Sequence, residues 1–247
     1  MIPDNVAHLK YKRILLKYSG EALMGQMQFG IDSTVLARIA QDIVELSELG
    51  VTIGLVIGGG NLFRGKSLAA VGVDRVTGDQ MGMLATVMNA LALRDALLRF
   101  NLPVRIMSAV GIPGFVETYA QQDVMAALAN KEIVIFAGGT GNPFFTTDSA
   151  VSLRAIETQA DIVLKATKVD GIYSADPFKD KKAVRYHSLS YQQVLEEGLE
   201  VMDATAICLC REHRIPILVF DMTLPNALKK IVMGEPVGTF VGENNAQ

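Results

Sequence analysis

One pattern limits what this chain can become. Short runs that are apolar from end to end alternate with longer stretches whose apolar residues recur at helical spacing. A strand that is apolar on both faces needs cover on both, and helical crossovers between parallel strands supply it. The spacing predicts strands at 13–17, 51–57, 104–107, 133–137, 162–165 and 217–220, with a last short one at 239–241. It predicts helices at 33–49, 80–100, 121–130, 148–158, 191–197, 202–213 and 225–233. The first is capped by Asp32 or Ser33 and stopped by Gly50, and the last is opened by Pro225. The expected fold is α/β, with helices on both faces of a parallel sheet. No linker or composition break interrupts it, so 11–242 reads as a single domain with short tails at 1–10 and 243–247. The polar stretch 176–190 reads as a surface excursion beside a site.

Composition removes several functions. Half of the 247 residues are apolar, which is ample for a core and too many for disorder. The net charge is −3, from 23 basic and 26 acidic residues in alternation, so no basic stripe awaits a nucleic acid. Cys208 and Cys210 cannot build a disulfide framework and point apart on a helix; they read as small core residues of a reduced protein. His8, His187 and His213 are scattered and offer no zinc spacing. There is no leader-like start and no apolar run near the ~20 residues that span a bilayer. A cytoplasmic protein without a membrane partner is expected.

In an open parallel sheet, ligands bind beyond the carboxyl ends of the strands. The informative residues stand there: Lys17-Tyr18-Ser19-Gly20 after the first strand, Gly58-Gly59-Gly60 through Arg64 after the second, Gly138 through Asp148 after the strand at 133, and Lys165 through Gly171 after the strand at 162. Glycine-rich turns bring backbone N–H groups up to phosphate oxygens, and helix N-termini add positive potential. Four such turns carrying Lys17, Arg64 and Lys165 describe a polyanion site. Two ammonium groups flanking a transferring phosphate would meet the needs of phosphoryl transfer, which is mostly positioning and charge stabilisation. Asp148 reads either as a plain helix cap or as the group that orients a lysine or holds Mg²⁺ through water. Asp203, also near a helix start, reads as a cap in preference to a catalytic group.

One motif competes. Residues 60–67 satisfy G-x-x-x-x-G-K-[ST] after a strand, and the run ending at Asp221 could pose as its metal-binding partner. The lysine of such a loop must open a helix, yet 67–78 contains Gly72 and Gly78 and shows no helical stripe. Lys66→Ala separates the readings: little effect is expected, and near-complete loss of activity would favour the phosphate loop.

The stretches ILLKYSGEAL (14–23), VIGGGNLFRG (56–65), GDQMGMLAT (78–86), GTGNPFFTTDSA (139–150) and KATKVDGIYSADP (165–177) resemble bacterial uridylate (UMP) kinases of the amino-acid kinase fold family, from about residue 11 to 241. The resemblance implies a three-layer αβα sandwich around a mostly parallel, twisted sheet of about eight strands. It implies Mg²⁺-dependent transfer of the ATP γ-phosphate to UMP. By matching positions, Lys17, Tyr18, Ser19, Gly20, Gly60 and Arg64 would meet ATP phosphates, and Thr167, Tyr173 and Asp176 the adenosine side. UMP would meet Gly59, Asp79, Thr140, Gly141, Asn142, Pro143, Phe144, Phe145, Thr146 and Thr147. The reading of the residues themselves adds Lys165 and Asp148 to Lys17 as the catalytic set, with Mg²⁺ carried by ATP rather than by direct protein ligands. The resemblance also implies a homo-oligomer, a hexamer built as a trimer of dimers, with GTP as activator and UTP as inhibitor; Arg94, Asp95 and Arg105 match the effector site. Two positions depart from the family pattern: Tyr18 replaces a leucine, and Leu98 a common histidine. The methionines at 81, 83 and 88 read as core or dimer contact. A carboxylate or carbamate kinase of the same fold, or a non-catalytic nucleotide-binding oligomer, are the alternative readings.

Overall fold

The computed structural model describes residues 9–63, 72–199 and 201–243. Nine strands form one sheet: β1 (Arg13–Tyr18), β2 (Thr52–Ile57), β3 (Val104–Ser108), β4 (Glu117–Thr118), β5 (Ile133–Ala137), β6 (Ile162–Thr167), β7 (Ser188–Ser190), β8 (Ile217–Asp221) and β9 (Thr239–Gly242). Their spatial order is β4-β3-β5-β2-β1-β6-β8-β9-β7, and every pairing is parallel except β8 with β9. The helices are α1 (Ser33–Glu48), α2 (Arg75–Leu98), α3 (Gln121–Ala129), α4 (Thr147–Glu157), α5 (Tyr191–Glu196), α6 (Ala204–Glu212) and α7 (Ala227–Met233), plus a 3-10 turn at Gly20–Met24.

The period of two along each strand divides the core. Ile14, Leu16, Ile53, Leu55, Leu164 and Phe220 pack with α1, α2 and α7 on one face. Leu15, Val56, Val134, Phe136, Val163 and Val219 pack with α3, α4, α5 and α6 on the other. The result is three layers with the sheet in the middle. The strand order reverses direction at β1: β2, β5, β3 and β4 lie to one side, and β6, β8, β9 and β7 to the other. The crevice beyond the carboxyl end of β1 is therefore where this fold puts ligands.

Several expectations are corrected. Strands β4 and β7 went unread, because two or three residues carry no usable alternation. Helix α2 begins at Arg75 rather than 80, capped by Asp74, whose carboxylate accepts from the Val76 and Thr77 N–H groups; Gly78 thus lies inside the helix. Helix α7 begins after Asn226, which takes a left-handed conformation, so Pro225 precedes rather than opens it. Cys210 is buried as expected, but Cys208 is exposed. Leu9 is buried and the Lys10 N–H bonds to the Val232 carbonyl, so the packed chain reaches back past residue 11. Met83 is core, while Met88 is exposed and keeps only the contact half of its reading. Helix α2 is long and apolar enough to cross a bilayer by length and composition, contrary to the sequence reading. Half of its most apolar 18-residue stretch is buried inside the fold, and it packs on β3 and β5 as a core helix.

Candidate active site

The parallel register places Lys17 of β1 directly opposite Lys165 of β6. Both belong to the α4 face of the sheet, in the odd-numbered set with Leu15 and Val163. Adjacent strands lie about 4.8 Å apart, so two ammonium groups at facing positions repel unless something stands between them. Asp148 does. Its Oδ1 lies 2.8 Å from the Lys17 Nζ and its Oδ2 3.0 Å from the Lys165 Nζ, with all three side chains largely buried. Helix α4 delivers the carboxylate: Thr146 is the N-cap, its hydroxyl accepting from the Asp148 N–H, and Asp148 sits in the first turn, where the helix dipole favours an anion. Asp148 is thus not the cap but the bridge between the lysines. Burial works to raise its carboxyl, yet Lys17 and then Lys165 outweigh burial and hold it below the usual carboxylate range. Burial pushes the Lys165 ammonium down against the pull of Asp148. The same ammonium also donates to the Val201 carbonyl.

The neighbouring turns interlock. Ser19 caps the 3-10 turn by accepting from the Ala22 N–H at 3.3 Å. Gly20 faces the Gly60 backbone so closely that no side chain fits there. Tyr18 does not reach the rim: its ring is 1 % exposed, packed in the core beneath α1, where burial raises its phenol. Only the backbone of Tyr18 remains available for a nucleotide. Arg64 lies outside the described residues, as do Lys66 and Ser67 of the competing motif.

Two cavities flank the lysine pair. One, of about 440 Å³, is lined by Gly59, Gly60, Asp79, Thr140, Phe145, Thr146 and Thr147, together with one face of α2. The other, of about 450 Å³, is lined by Lys165, Thr167, Tyr173 and Asp176. Asp148 follows Thr147 of the first cavity and pairs with Lys165 of the second, so the charged cluster stands at their junction. Of the residues expected around UMP, Gly141, Asn142, Pro143 and Phe144 do not line the first cavity. Gly141 packs on Ala109, and the Asn142 N–H bonds to the Thr140 hydroxyl at 3.2 Å. Phe144 holds its ring outward near Arg75, while its N–H donates to Asp79 Oδ2 at 2.7 Å. Asp79 also takes the Arg75 guanidinium.

Sequence reasoning missed the helix wall of this cavity: Arg75, Gly78, Gly82, Met83 and Thr86. The signal was present as small residues at 78, 82 and 86, four apart, with Asp79 beside them. Asp203 caps α6, accepting from the Ala206 N–H at 2.9 Å, and also accepts from the Thr146 and Ser149 hydroxyls. At the β3–β4 edge, Arg94 and Arg105 line a separate cavity of about 290 Å³. Arg105 pairs with Glu117 there, whereas Asp95 turns away to Arg99 at 2.6 Å and is not part of it.

A nucleotide-sized cavity on each side of a lysine–aspartate–lysine bridge, at the switch point of an α/β sheet, suits transfer of a phosphoryl group. The amino acid kinase family model matches residues 12–221, and the chain belongs to that family. Within it, the chain is 64 % identical over 247 residues to the uridylate kinase of Legionella pneumophila (strain Paris), covering all of both chains. It is 61 % identical to that of Stutzerimonas stutzeri (strain A1501), covering 96 % of each. Among solved structures, the UMP kinase from Bacillus anthracis superposes with a TM-score of 0.92 at 39 % identity, over 95 % of this chain and 97 % of that one.

Proposed function

We propose that this chain is a UMP kinase: it transfers the γ-phosphate of ATP to UMP, giving UDP and ADP. The observation that carries the reading is the bridge of Lys17, Asp148 and Lys165 at the junction of two cavities. ATP takes the cavity of Thr167, Tyr173 and Asp176, with its phosphates on the turns at 19–20 and 60. UMP takes the cavity of Gly59, Asp79, Thr140, Phe145, Thr146 and Thr147. A phosphate oxygen of UMP attacks Pγ; that O–P bond forms as the bond from Pγ to the β–γ bridging oxygen breaks, and ADP leaves with the electron pair. The attacking phosphate is already ionised, so no general base is needed. Lys17 and Lys165 stabilise the charge spread over the migrating group, and Asp148 fixes both ammonium groups before the reaction begins.

Among the described residues no three His, Cys, Asp or Glu side chains converge on a metal-sized site, and Asp148 has an oxygen on each lysine. The donor set does not make a protein-held metal site; Mg²⁺ would ride on the ATP phosphates, where it shields their charge. Residues 11–242 act as one catalytic domain, in the cytoplasm, assembled as a hexamer, with Leu84 and Met88 of α2 in the contact between copies. Both side chains are close to half exposed in the single chain, on an apolar face shared with Phe115. The Arg94 and Arg105 cavity is the candidate for GTP activation, and UTP for inhibition.

The deciding experiment is a coupled assay of purified protein with ATP, Mg²⁺ and each nucleoside monophosphate in turn. UDP formation is expected to dominate; faster turnover of CMP or AMP would remove the assignment of UMP. Product analysis with carboxylate and carbamate acceptors separates the other kinases of this fold.

A further inference from the structure

Helix α2 carries two buried polar side chains that the chemistry above does not use. Thr86 and Asn89 are 3 % and 0 % exposed, one turn apart. Each reaches a different turn of the site. The Thr86 hydroxyl accepts from the Gly138 N–H at 2.8 Å and donates to the Met83 carbonyl at 2.6 Å. The Asn89 amide donates to the Gly58 carbonyl at 2.8 Å. It also forms a reciprocal pair with Asn61, itself 2 % exposed: Asn89 Nδ2 to Asn61 Oδ1 at 2.7 Å, and Asn61 Nδ2 to Asn89 Oδ1 at 3.0 Å. Asn61 Nδ2 donates again to the Gly30 carbonyl at 3.0 Å.

Gly58 directly follows β2 and Gly138 directly follows β5, its neighbour in the sheet, so one helical turn grips the exits of both strands. The backbone follows the grip. A Cβ on Gly59 would lie 2.7 Å from the Gly82 carbonyl oxygen and 2.8 Å from the Ala85 Cβ, so this turn lies flush on α2. A Cβ on Gly20 would lie 2.7 Å from Asn61 Oδ1, which sets the amide pair beneath the ATP-side turn as well. Apolar side chains of the same size would fill this space without the cost of desolvating a hydroxyl and two amides. What they would not do is hold two backbone groups in fixed directions.

We infer that Thr86, Asn89 and Asn61 are positioning residues: they lock the turns at 58–60 and 138–147 to α2, and so set the width of the UMP cavity and the place of its occupant relative to Lys17. The inference rests on the proposed UMP kinase reading for its kinetic arm only.

The test is Thr86→Val, which keeps the volume and removes the hydroxyl, beside Thr86→Ser, which keeps the hydroxyl. For Thr86→Val, kcat/KM for UMP is expected to fall about tenfold or more, since small displacements of a positioned reactant are costly. KM for ATP should stay within about twofold, and Thr86→Ser should recover most of the loss. Amide hydrogen exchange supplies the second arm: the 138–147 segment should exchange faster in Thr86→Val, while β1 and β6 keep their protection. Wild-type constants in Thr86→Val, equal damage in both variants, or unchanged exchange at 138–147 would each overturn the inference. If the wild-type protein does not phosphorylate UMP, the functional reading fails, and exchange still decides whether Thr86 holds the turn.

Discussion

At Lys17 the protein spends a buried charge where an apolar side chain would pack without cost. A lysine 6 % exposed at the end of an apolar strand is tolerable because Asp148 meets it at 2.8 Å, and Asp148 is itself held by a second lysine. Lys17→Ala should lower kcat about 10²-fold or more with little change in KM for UMP, the mark of a charge that matters most in the transition state. Steady-state kinetics with UMP varied at saturating ATP checks this. The bridge also predicts a pH dependence. The Asp148 carboxyl is held below its ordinary value in the folded state, so its contribution to stability is present above the unfolded value of about 3.9 and drains away as pH falls through the folded one. Thermal unfolding followed from pH 7 to 3 should show stability declining below about pH 4 in the wild type. Asp148→Asn should flatten that decline and lose stability at pH 7, by about 3 kcal/mol for removing one partner of a buried ionic cluster.

Among the elements, α2 does the most. It lines the cavity beside Gly59 with Gly78, Asp79 and Gly82, anchors two turns, and presents Leu84 and Met88 outward. Its flush contact with Gly59 gives a local prediction. Gly59→Ala would drive a methyl group into the Gly82 carbonyl and Ala85, pushing the turn off the helix. KM for UMP should rise about tenfold, by misplacement rather than by a lost contact, while far-UV circular dichroism stays that of the wild type. The strands and helices of this chain were largely readable beforehand, because each long element repeats its period several times. Strand β4 was not, since Glu117 and Thr118 owe their pairing to β3 beside them rather than to any pattern of their own. The start of α2 was misplaced because Gly78 and Asp79 look like a turn; the Asp74 cap and the packing of the following residues override that local preference.

For the molecule as a whole, the reversal of strand order at β1 explains why residues as distant as 17, 59, 148 and 165 share one crevice. The proposed assembly is a matter of this scale too. Sedimentation should give a particle of about six times the 26.7 kDa chain. Met88→Glu, placing a charge on the apolar face of α2, should shift it to smaller species because a buried contact does not tolerate an unpaired charge. An unchanged mass in that variant would put the contact elsewhere.

The amino-acid sequence by itself determined the class of fold and which residues stand on the rim. Apolar periodicity is a local, repeated signal, and lysines and glycines at strand ends can be read directly off the chain. Tertiary structure alone decided which groups meet. It set Lys17 against Lys165 through strand register, chose the lysine-orienting role of Asp148 over the cap, and sank Tyr18 into the core at a position that reads as part of a phosphate loop. It also joined Thr86 to Gly138 and Asn89 to Asn61 across 52 and 28 residues of chain. The physical reason is that these contacts depend on where helices settle on the sheet, and that is fixed by the packing of two cores together rather than by any run of neighbouring residues.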